Sequence, residues 1–258
     1  MFIEERHEKI LEMLKEKGRI YLSDIQEAFD ISVDSARRDL RILEGKNKLK
    51  RTHGGAIPIL PRSYTIPEGF THREIKEVKA NYLAIAKRAV DMIEEGDVIH
   101  INGGSIGYFM VQNLPKDKQM TIAVNNIVLA DVLRTYDNVT TIMIGGYLNS
   151  KGQCKEQLAV DMIKALRFDK AFITSATIST DFGASIQTPS SVSLIRAFME
   201  ASTYNIGLYP NEKIQRNAIL HICDMKDFDT IITDWQVIDE HIEKMKECAQ
   251  DLVVVEEI

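Results

Sequence analysis

Cysteine and tryptophan are scarce in this chain of 258 residues, which contains three cysteines and one tryptophan. Cys154, Cys223 and Cys248 are too few and too scattered for a disulfide framework or a zinc cluster. His221 and Cys223 have the spacing of two metal ligands, but two ligands do not complete a site, and buried strand positions explain them better. We therefore expect neither a metal nor a cofactor.

Long apolar runs are also lacking. No apolar segment reaches the roughly 18 residues that a membrane-spanning helix needs. The amino terminus has the pattern of a charged amphipathic helix, which differs from that of a secretory signal. The sequence therefore predicts a cytoplasmic protein that has no membrane partner.

The formal net charge of −6 is unevenly distributed along the chain. Residues 1–62 carry a net charge of +2, so residues 63–258 carry −8. From Arg37 to His53, seven lysines and arginines stand against two acids, which gives this short segment +5. That charge can neutralise several nucleic-acid phosphates, whereas the acidic remainder argues against nonspecific coating by the whole protein.

The segment from Ser32 to Leu43 has the pattern of a DNA-recognition helix. Ser32 is a suitable N-cap, because its hydroxyl can accept a hydrogen bond from a first-turn amide. At about 100° per residue, Arg38 points away from an apolar stripe formed by Val33, Ala36, Leu40 and Leu43. A charged helix is often only a solvated surface, but an apolar back and an arginine-bearing front fit the DNA major groove. Arg38 and its neighbours are the predicted contacts of this helix: Ser32, Asp34, Ser35, Arg37 and Arg41.

The flanking segments complete a winged helix-turn-helix. A first amphipathic helix is predicted to end near Gly18, and the capping-box pattern of Ser23 to Gln26 predicts a second helix through Phe29. Downstream, basic residues alternate around Leu49 as in a short two-stranded wing, and Asn47 tolerates the left-handed conformation needed where the helix ends. The predicted DNA contacts of the wing are Lys48, Lys50, Arg51 and His53.

Residues 58–72 are predicted to form a linker. Three of the six prolines lie within residues 57–67, which blocks regular helix there and stiffens the connection. The expected organisation is a DNA-binding domain at residues 1–57 and an effector-sensing and oligomerisation domain at residues 73–258.

The fold class of the larger domain is α/β. Short β-branched strands alternate with helices, which predicts a mostly parallel sheet covered on both faces. The predicted strands are residues 98–101, 121–124, 140–144, 170–174, 204–208, 218–222, 230–232 and 252–255. In such sheets, ligands bind beyond the carboxyl ends of the strands.

Polar and glycine-rich loops follow several of these strands and predict an effector site. The loop at Asn102 leaves a strand and enters a helix, so its amides can hold an anionic group, and Lys213 offers a cation. A glycine pair after a strand is also common as a plain turn, so both interpretations remain open. The candidate residues are Asn102, Gly103, Gly104, Ser105, Asn125, Asn126, Gly145, Gly146 and Lys213.

The amino-terminal segment contains Arg37-Arg38-Asp39-Leu40, Leu43-Glu44 and His53-Gly54-Gly55-Ala56. These motifs closely resemble those of the DeoR-type bacterial transcriptional repressors. Ser35-Ala36 stands where that family usually has Thr-Ile, and Asn47 where it usually has Gly.

The larger domain resembles the same family at Ile93-x-x-Gly96-Asp97, Ile144-Gly145-Gly146, residues 167–172 and residues 231–234. The resemblance implies an α/β fold like that of sugar-phosphate isomerases and CoA-transferases, used as a sensor of phosphorylated sugars. It also implies repression of a carbohydrate-metabolism operon by a homodimer or higher oligomer on operator DNA. The departures lie at the pocket, where residues 174–179 lack both acids of the family motif.

Two hypotheses follow for the sensor. In the first, it binds an altered, still anionic metabolite through Ser105, Asn125 and Lys213. In the second, it has lost small-molecule binding and acts as an oligomerisation or partner-binding body.

An isomerase-like enzyme is a more remote alternative, because it needs a general base at a strand end. Asn102, Ala176 and Ser179 stand where carboxylates are expected, and only Asp224 and Asp234 remain as acids near strand ends. We therefore predict a transcriptional regulator without catalytic residues.

Overall fold

The computed structural model describes residues 3–17, 19–46, 48–52, 54–58 and 79–257. The chain divides into two compact units, Met1–Arg62 and Ser63–Ile258. Most of the predicted linker lies outside the described residues, and so do Gly18, Asn47 and His53. Among the described helices, none combines the length and the apolar character needed to cross a bilayer.

The first unit is a winged helix-turn-helix, as predicted. Its β1, β3 and β2 strands form one antiparallel sheet in that order, with β2 and β3 as the wing. Apolar side chains from all three helices and from the sheet form its core. The elements are α1 (Ile3–Lys17), β1 (Ile20–Tyr21), α2 (Leu22–Phe29), α3 (Val33–Gly45), β2 (Leu49–Thr52) and β3 (Gly55–Pro58).

Helix α2 begins earlier than the capping-box pattern indicated. The prediction that Ser23 is the N-cap is wrong, because Tyr21 occupies that position. The Tyr21 amide donates to Asp24 Oδ2 at 2.8 Å, so Asp24 closes the first turn from its third helical position. A carboxylate three residues into the helix thus satisfies an amide that the helix itself leaves unpaired.

Gly55 lies where strand β3 comes closest to β1. A Cβ atom at this position would lie 1.9 Å from the carbonyl oxygen of Ile20, well inside van der Waals contact. At the adjacent Gly54, an added Cβ would meet no atom of the described residues within 4 Å. Of the two glycines, only Gly55 is therefore required by the packing of the sheet.

The second unit is built on a seven-stranded sheet with the order β13-β12-β10-β7-β4-β5-β6. Every pair of neighbouring strands in it is parallel, which confirms the predicted parallel α/β fold. The elements are α4 (Ala80–Asp91), β4 (Val98–Ile101), α5 (Ser105–Gln112), β5 (Met120–Val124), α6 (Ile127–Leu133), β6 (Val139–Met143), α7 (Gln157–Lys164), β7 (Phe168–Ile173), β8 (Thr177–Ser179), β9 (Gly183–Ile186), α8 (Pro189–Glu200), β10 (Ser202–Leu208), β11 (Leu220–Cys223), β12 (Thr230–Asp234), α9 (Asp239–Cys248) and β13 (Leu252–Val255).

Helices cover both faces of this sheet. Along β7, Phe172 joins one apolar cluster, whereas its neighbours Ala171 and Ile173 join the other. Helices α4, α5 and α6 contribute to the first cluster, and α7, α8 and α9 to the second. This alternation of side chains between two buried faces is typical of a parallel sheet whose crossovers are helical.

A second, antiparallel sheet was not predicted. The strand expected at residues 218–222 forms as β11, but it pairs with β9 in a three-stranded sheet of order β11-β9-β8 instead of joining the parallel sheet. Within residues 174–179, the motif that lacks the family's acids, Thr177–Ser179 form strand β8. A three-residue strand such as β8 is too short for a period-two pattern to reveal it, and no local pattern indicates that β11 pairs with β9.

Substitution of Gly55 tests the close approach of β1 and β3. Gly55→Ala is expected to destabilise the first unit by about 1–3 kcal/mol, because the added methyl group forces strands β1 and β3 apart. Gly54→Ala is the matched control and should leave stability nearly unchanged. Calorimetric unfolding of the full chain measures both effects, and equal midpoints for the two variants would contradict the expectation.

Candidate DNA-binding surface and effector site

Helix α3 is fixed to α1 by a buried carboxylate. Asp39 is only 2% exposed. Its two oxygens accept from Arg6 Nε at 2.7 Å and Arg6 Nη2 at 3.1 Å. His7 Nε2 lies 3.1 Å from Asp39 Oδ1, and the hydrogen bond to the carboxylate raises the pKa of Arg6. A two-point contact of this kind fixes the rotation of α3 about its own axis as well as its position.

The amino terminus of α3 is capped as predicted. The Ser35 amide donates to Ser32 Oγ at 3.3 Å, and the hydroxyls of these two serines lie 3.0 Å apart. On the inner side of the helix, Ala36, Leu40 and Leu43 are buried as the apolar stripe predicts, whereas Val33 is half-buried. The cap and the stripe together decide which side of α3 faces solvent.

The outer side of α3 carries the predicted arginines. Arg37, Arg38 and Arg41 are all exposed. Arg37 Nη1 lies 3.4 Å from Asp34 Oδ1, but both side chains are well exposed, and such a pair contributes little to stability. Within the described residues, Arg38 and Arg41 make no ion pair. Helix α3 therefore presents three cations on the side opposite its buried stripe.

The wing is joined to α3 by Arg51. Its amide donates to Glu44 Oε1 at 3.0 Å, and its Nε donates to Glu44 Oε2 at 2.6 Å. The backbone hydrogen bond is the larger cause, and the side-chain hydrogen bond the next, of a lowered pKa of Glu44. The phosphate contact predicted for Arg51 would compete with this pair. Lys48, directly before strand β2, and Lys50 within it are both exposed.

In the second unit, the loops after β4, β5 and β7 meet at one edge of the parallel sheet. Asn102 Nδ2 donates to the carbonyl of Thr174 at 2.8 Å. A Cβ atom added at Gly103 would lie 3.2 Å from the side chain of Asn126, and one at Gly104 would lie 3.3 Å from Thr174. The structure thus brings these predicted residues together through the loops that carry them.

The two asparagines after β5 differ in their surroundings. Asn126 is the N-cap of α6, where its Oδ1 accepts from the Val128 amide at 2.8 Å. Asn125 is 2% exposed, and its Nδ2 donates to the carbonyl of Cys154 at 2.9 Å. Its Oδ1 is buried without a hydrogen-bond partner in the described part of the chain. A buried acceptor left unpaired costs about 1–3 kcal/mol.

Lys213 joins the loop after β10 to the loop after β7. Its Nζ donates to Thr174 Oγ1 and to the carbonyl of Ser175, both at 2.8 Å. The side chain is buried, and desolvation lowers the pKa of its ammonium to about 8. The predicted cation therefore lies at the expected edge of the sheet but is already engaged in holding two loops together.

The other predicted residues are part of the turns. Ser105 is the first residue of α5, directly after the glycine loop. Gly146 adopts a φ of 132°, which favours glycine. At Gly145, an added Cβ would meet no atom of the described residues within 4 Å. Only Gly146 is thus explained by the conformation of the turn.

Sequence reasoning missed Lys155. This half-buried residue follows Cys154 in the segment between β6 and α7, and its Nζ donates to Ser191 Oγ at 3.1 Å. Ser191 lies in the first turn of α8 and is 2% exposed. No local pattern indicates this contact, because the two residues are 36 positions apart.

The remaining acids near strand ends are engaged in structure. Asp234 is fully buried and accepts from Asn81 Nδ2 at 3.2 Å, from the Asn211 amide at 2.8 Å and from the Gln236 amide at 3.0 Å. Asp224 is exposed and lies 3.4 Å from Lys226 Nζ. The described residues contain no group of three or more His, Cys, Asp or Glu side chains that could hold a metal ion.

Both parts of the chain match known family models. Residues 6–61 match the DeoR-like helix-turn-helix domain, and residues 78–235 match the DeoR C terminal sensor domain. The chain is 30% identical to the lactose phosphotransferase system repressor of Lactococcus lactis over 94% of this chain and 95% of that protein. It is 25% identical to the glycerol-3-phosphate regulon repressor of Escherichia coli over 95% of this chain and 98% of that protein.

A likeness to a solved structure concerns part of the chain. This chain is similar to the structure of ribose 5-phosphate isomerase A from Methanocaldococcus jannaschii over 52% of its own length and 53% of the isomerase chain. The sequence identity is 12% and the TM-score is 0.38.

Replacing the buried carboxylate tests its hold on α3. Asp39→Asn is expected to destabilise the first unit by about 3–5 kcal/mol, because Arg6 loses its buried counter-charge. Asp34→Asn, which alters only an exposed pair on the same helix, should cost at most about 1 kcal/mol. Calorimetric unfolding of the full-length variants measures the difference. Similar losses for both would mean that Asp39 contributes no more than an exposed charge.

Proposed function

Because this chain belongs to the DeoR family of DNA-binding transcriptional regulators, we propose that it represses a carbohydrate-metabolism operon in response to a phosphorylated sugar or a related anionic metabolite. The helix-turn-helix domain implies DNA as a partner, and the sensor domain implies an effector ligand. The chain is a regulator and not an enzyme. The operon class and the effector class are supported by the names of its relatives, a lactose phosphotransferase system repressor and a glycerol-3-phosphate regulon repressor.

The observation that carries the DNA-binding proposal is the row of exposed arginines on α3. The buried side chain of Asp39 holds this helix in place. We propose that Arg38, Ser35 and Arg41 contact base edges or the adjacent backbone. Arg37, Lys48 and Lys50 would contact phosphates, and Arg51 would do so only by leaving Glu44. Phosphate contacts give an affinity that depends on the salt concentration and not on the DNA sequence.

The effector proposal rests on the loops at the carboxyl edge of the parallel sheet. The glycine loop before Ser105 leads into the first turn of α5, whose amides attract negative charge. Asn125 offers a buried acceptor without a partner in the described residues. Lys213 lies at the same edge and holds the loop at Thr174 in place.

A second candidate role for the sensor domain follows from the hydrogen bonds that several of its polar side chains already make within the protein. Asn102, Asn126 and Lys213 all hydrogen-bond within the protein. A body satisfied in this way could serve oligomerisation or partner binding without a small ligand. Under either role we propose a homodimer or higher oligomer, because two-fold symmetric helix-turn-helix proteins bind paired half-sites.

Arginine and lysine substitutions test the assignment of base and phosphate contacts. Arg38→Ala is expected to lose about 1–3 kcal/mol on a selected operator and to relax specificity, because a base contact is removed. Lys50→Ala should weaken binding to all sequences alike and reduce the dependence on salt, because it neutralises a phosphate. The affinities are measured by fluorescence anisotropy on an operator selected from random duplexes and on random DNA.

Two comparisons make this experiment decisive. Lys9→Ala, which removes an exposed lysine of α1 that pairs with Glu5 on the same helix, is the control and should change neither affinity. Equal losses for Arg38→Ala on operator and on random DNA would contradict its role in base recognition. A wild-type protein that selects no sequence would contradict the proposed operator binding as a whole.

A further inference from the structure

We infer that Lys155, beside the amino terminus of α8, binds the anionic group of the effector, and that Asn125 accepts a hydrogen bond from a hydroxyl of the same molecule. The inference rests on the proposed function, since it assigns residues to the anionic effector of the second unit. It differs from the sequence-based expectation, in which Lys213 supplies the cation.

Lys155 is a half-buried cation, and no counter-charge pairs with it in the part of the chain that the structure describes. Its Nζ donates to the hydroxyl of Ser191 at 3.1 Å, and within the described residues it makes no ion pair. Burial, and to a smaller extent the charge of Lys151, lowers its pKa. Lysines are rarely withdrawn from water in this way unless a partner compensates them. An anionic ligand would provide that compensation.

The electrostatics of α8 favour the same ligand. The 12-residue helix has no acidic residue in its first turn, and Thr188 at the N-cap forms no side-chain cap. Thr188 Oγ1 instead donates to Ser191 Oγ at 2.6 Å, so this hydroxyl accepts from both Thr188 and Lys155. A helix amino terminus carries partial positive charge, which makes an adjacent ammonium unfavourable until an anion binds between them.

Asn125 supplies an independent indication of a ligand. Its Nδ2 is held by the carbonyl of Cys154, the residue before Lys155, which places the asparagine side chain beside the backbone that leads into the lysine. Its buried Oδ1 has no partner in the described part of the chain. This oxygen can only accept, so it requires a donor, such as a hydroxyl.

The expected ligand class follows from these two requirements. One group must be an anion that reaches Lys155, and another must be a hydroxyl that reaches Asn125. A polyol bearing a phosphate or a carboxylate meets both conditions with two separate groups. Inorganic phosphate has no second group beyond its anionic centre, and a neutral sugar has no anion.

Lys213 is expected to have a different role. Its hydrogen bonds to Thr174 and Ser175 keep its ammonium between two loops of the protein. We therefore assign it to positioning the loop after β7. Lys213→Met should lower thermal stability in the absence of any ligand, which Lys155→Met should not do.

The test compares the full-length wild-type chain with Lys155→Met and with Lys116→Met. Methionine keeps the length and the apolar stem of lysine but removes its charge. Lys116 is an exposed lysine that lines a groove of about 460 Å³ near Asn138, at the opposite end of β6 from its carboxyl edge. The probes are glucose 6-phosphate, fructose 6-phosphate, 6-phosphogluconate, gluconate, inorganic phosphate and glucose, and the readouts are thermal shift and calorimetric titration.

We expect at least one phosphorylated or carboxylated sugar to stabilise the wild type saturably. Lys155→Met should lose roughly tenfold or more in affinity for it, as expected for a charge-assisted hydrogen bond. Lys116→Met should bind like the wild type. Asn125→Leu should weaken a sugar phosphate more than inorganic phosphate, because only the former has sugar hydroxyls that can reach Asn125 while its phosphate is bound by Lys155.

Each other outcome contradicts a defined part of the proposal. Unchanged affinity in Lys155→Met, with a responsive wild type, would overturn this inference and leave the proposed effector intact. Loss in Lys116→Met alone would place the ligand in the groove near Asn138, and equal loss in both would indicate unspecific attraction. A wild type that no anion stabilises would overturn the inference together with the anionic effector, whereas DNA binding is tested separately with Arg38→Ala.

Discussion

The buried carboxylate of Asp39 is the interaction on which the DNA-binding unit depends. Apolar contacts alone keep α3 on the core, but they are non-directional and tolerate small rotations about the helix axis. The two-point contact between Arg6 and Asp39 removes that freedom. Because base contacts must be placed within about 0.5 Å, the ion pair matters more for where the arginines of α3 point than for the net stability it adds.

Much of the first unit could be predicted because its signals are local. The Ser32 cap, the apolar stripe of α3 and the basic wing each lie within a few residues of one another. The role of Asp39 could not be predicted, since a helical pattern assigns a charged residue to the solvent side, and its partner Arg6 is 33 positions away. The same holds for Gly55, whose necessity comes from the carbonyl of Ile20 on another strand.

In the second unit, the sequence predicted the strands better than their partners. The parallel strands have β-branched runs bounded by glycine and asparagine, which is enough to place their ends and therefore the loops that meet there. Strand β11 has a similar run, yet it pairs with β9 in a separate sheet. Whether a loop side chain already has hydrogen-bond partners also depends on residues far away in the sequence. For this reason Lys213 looked like a free cation in the sequence, and Lys155 was overlooked.

The two anion-binding surfaces proposed for this protein differ in how much water surrounds their cations. The arginines and lysines of α3 and the wing are exposed, so salt screens them over about 8–10 Å and counterion release governs their affinity. Lys155 is half-buried against a helix amino terminus, where screening is weaker and each hydrogen bond is stronger. A regulator built in this way can hold DNA by many weak, salt-sensitive contacts and a small anion by few strong ones. The half-buried site of Lys155 therefore suits a ligand that is recognised by its shape, because a few contacts must distinguish that ligand from the inorganic phosphate of the cell.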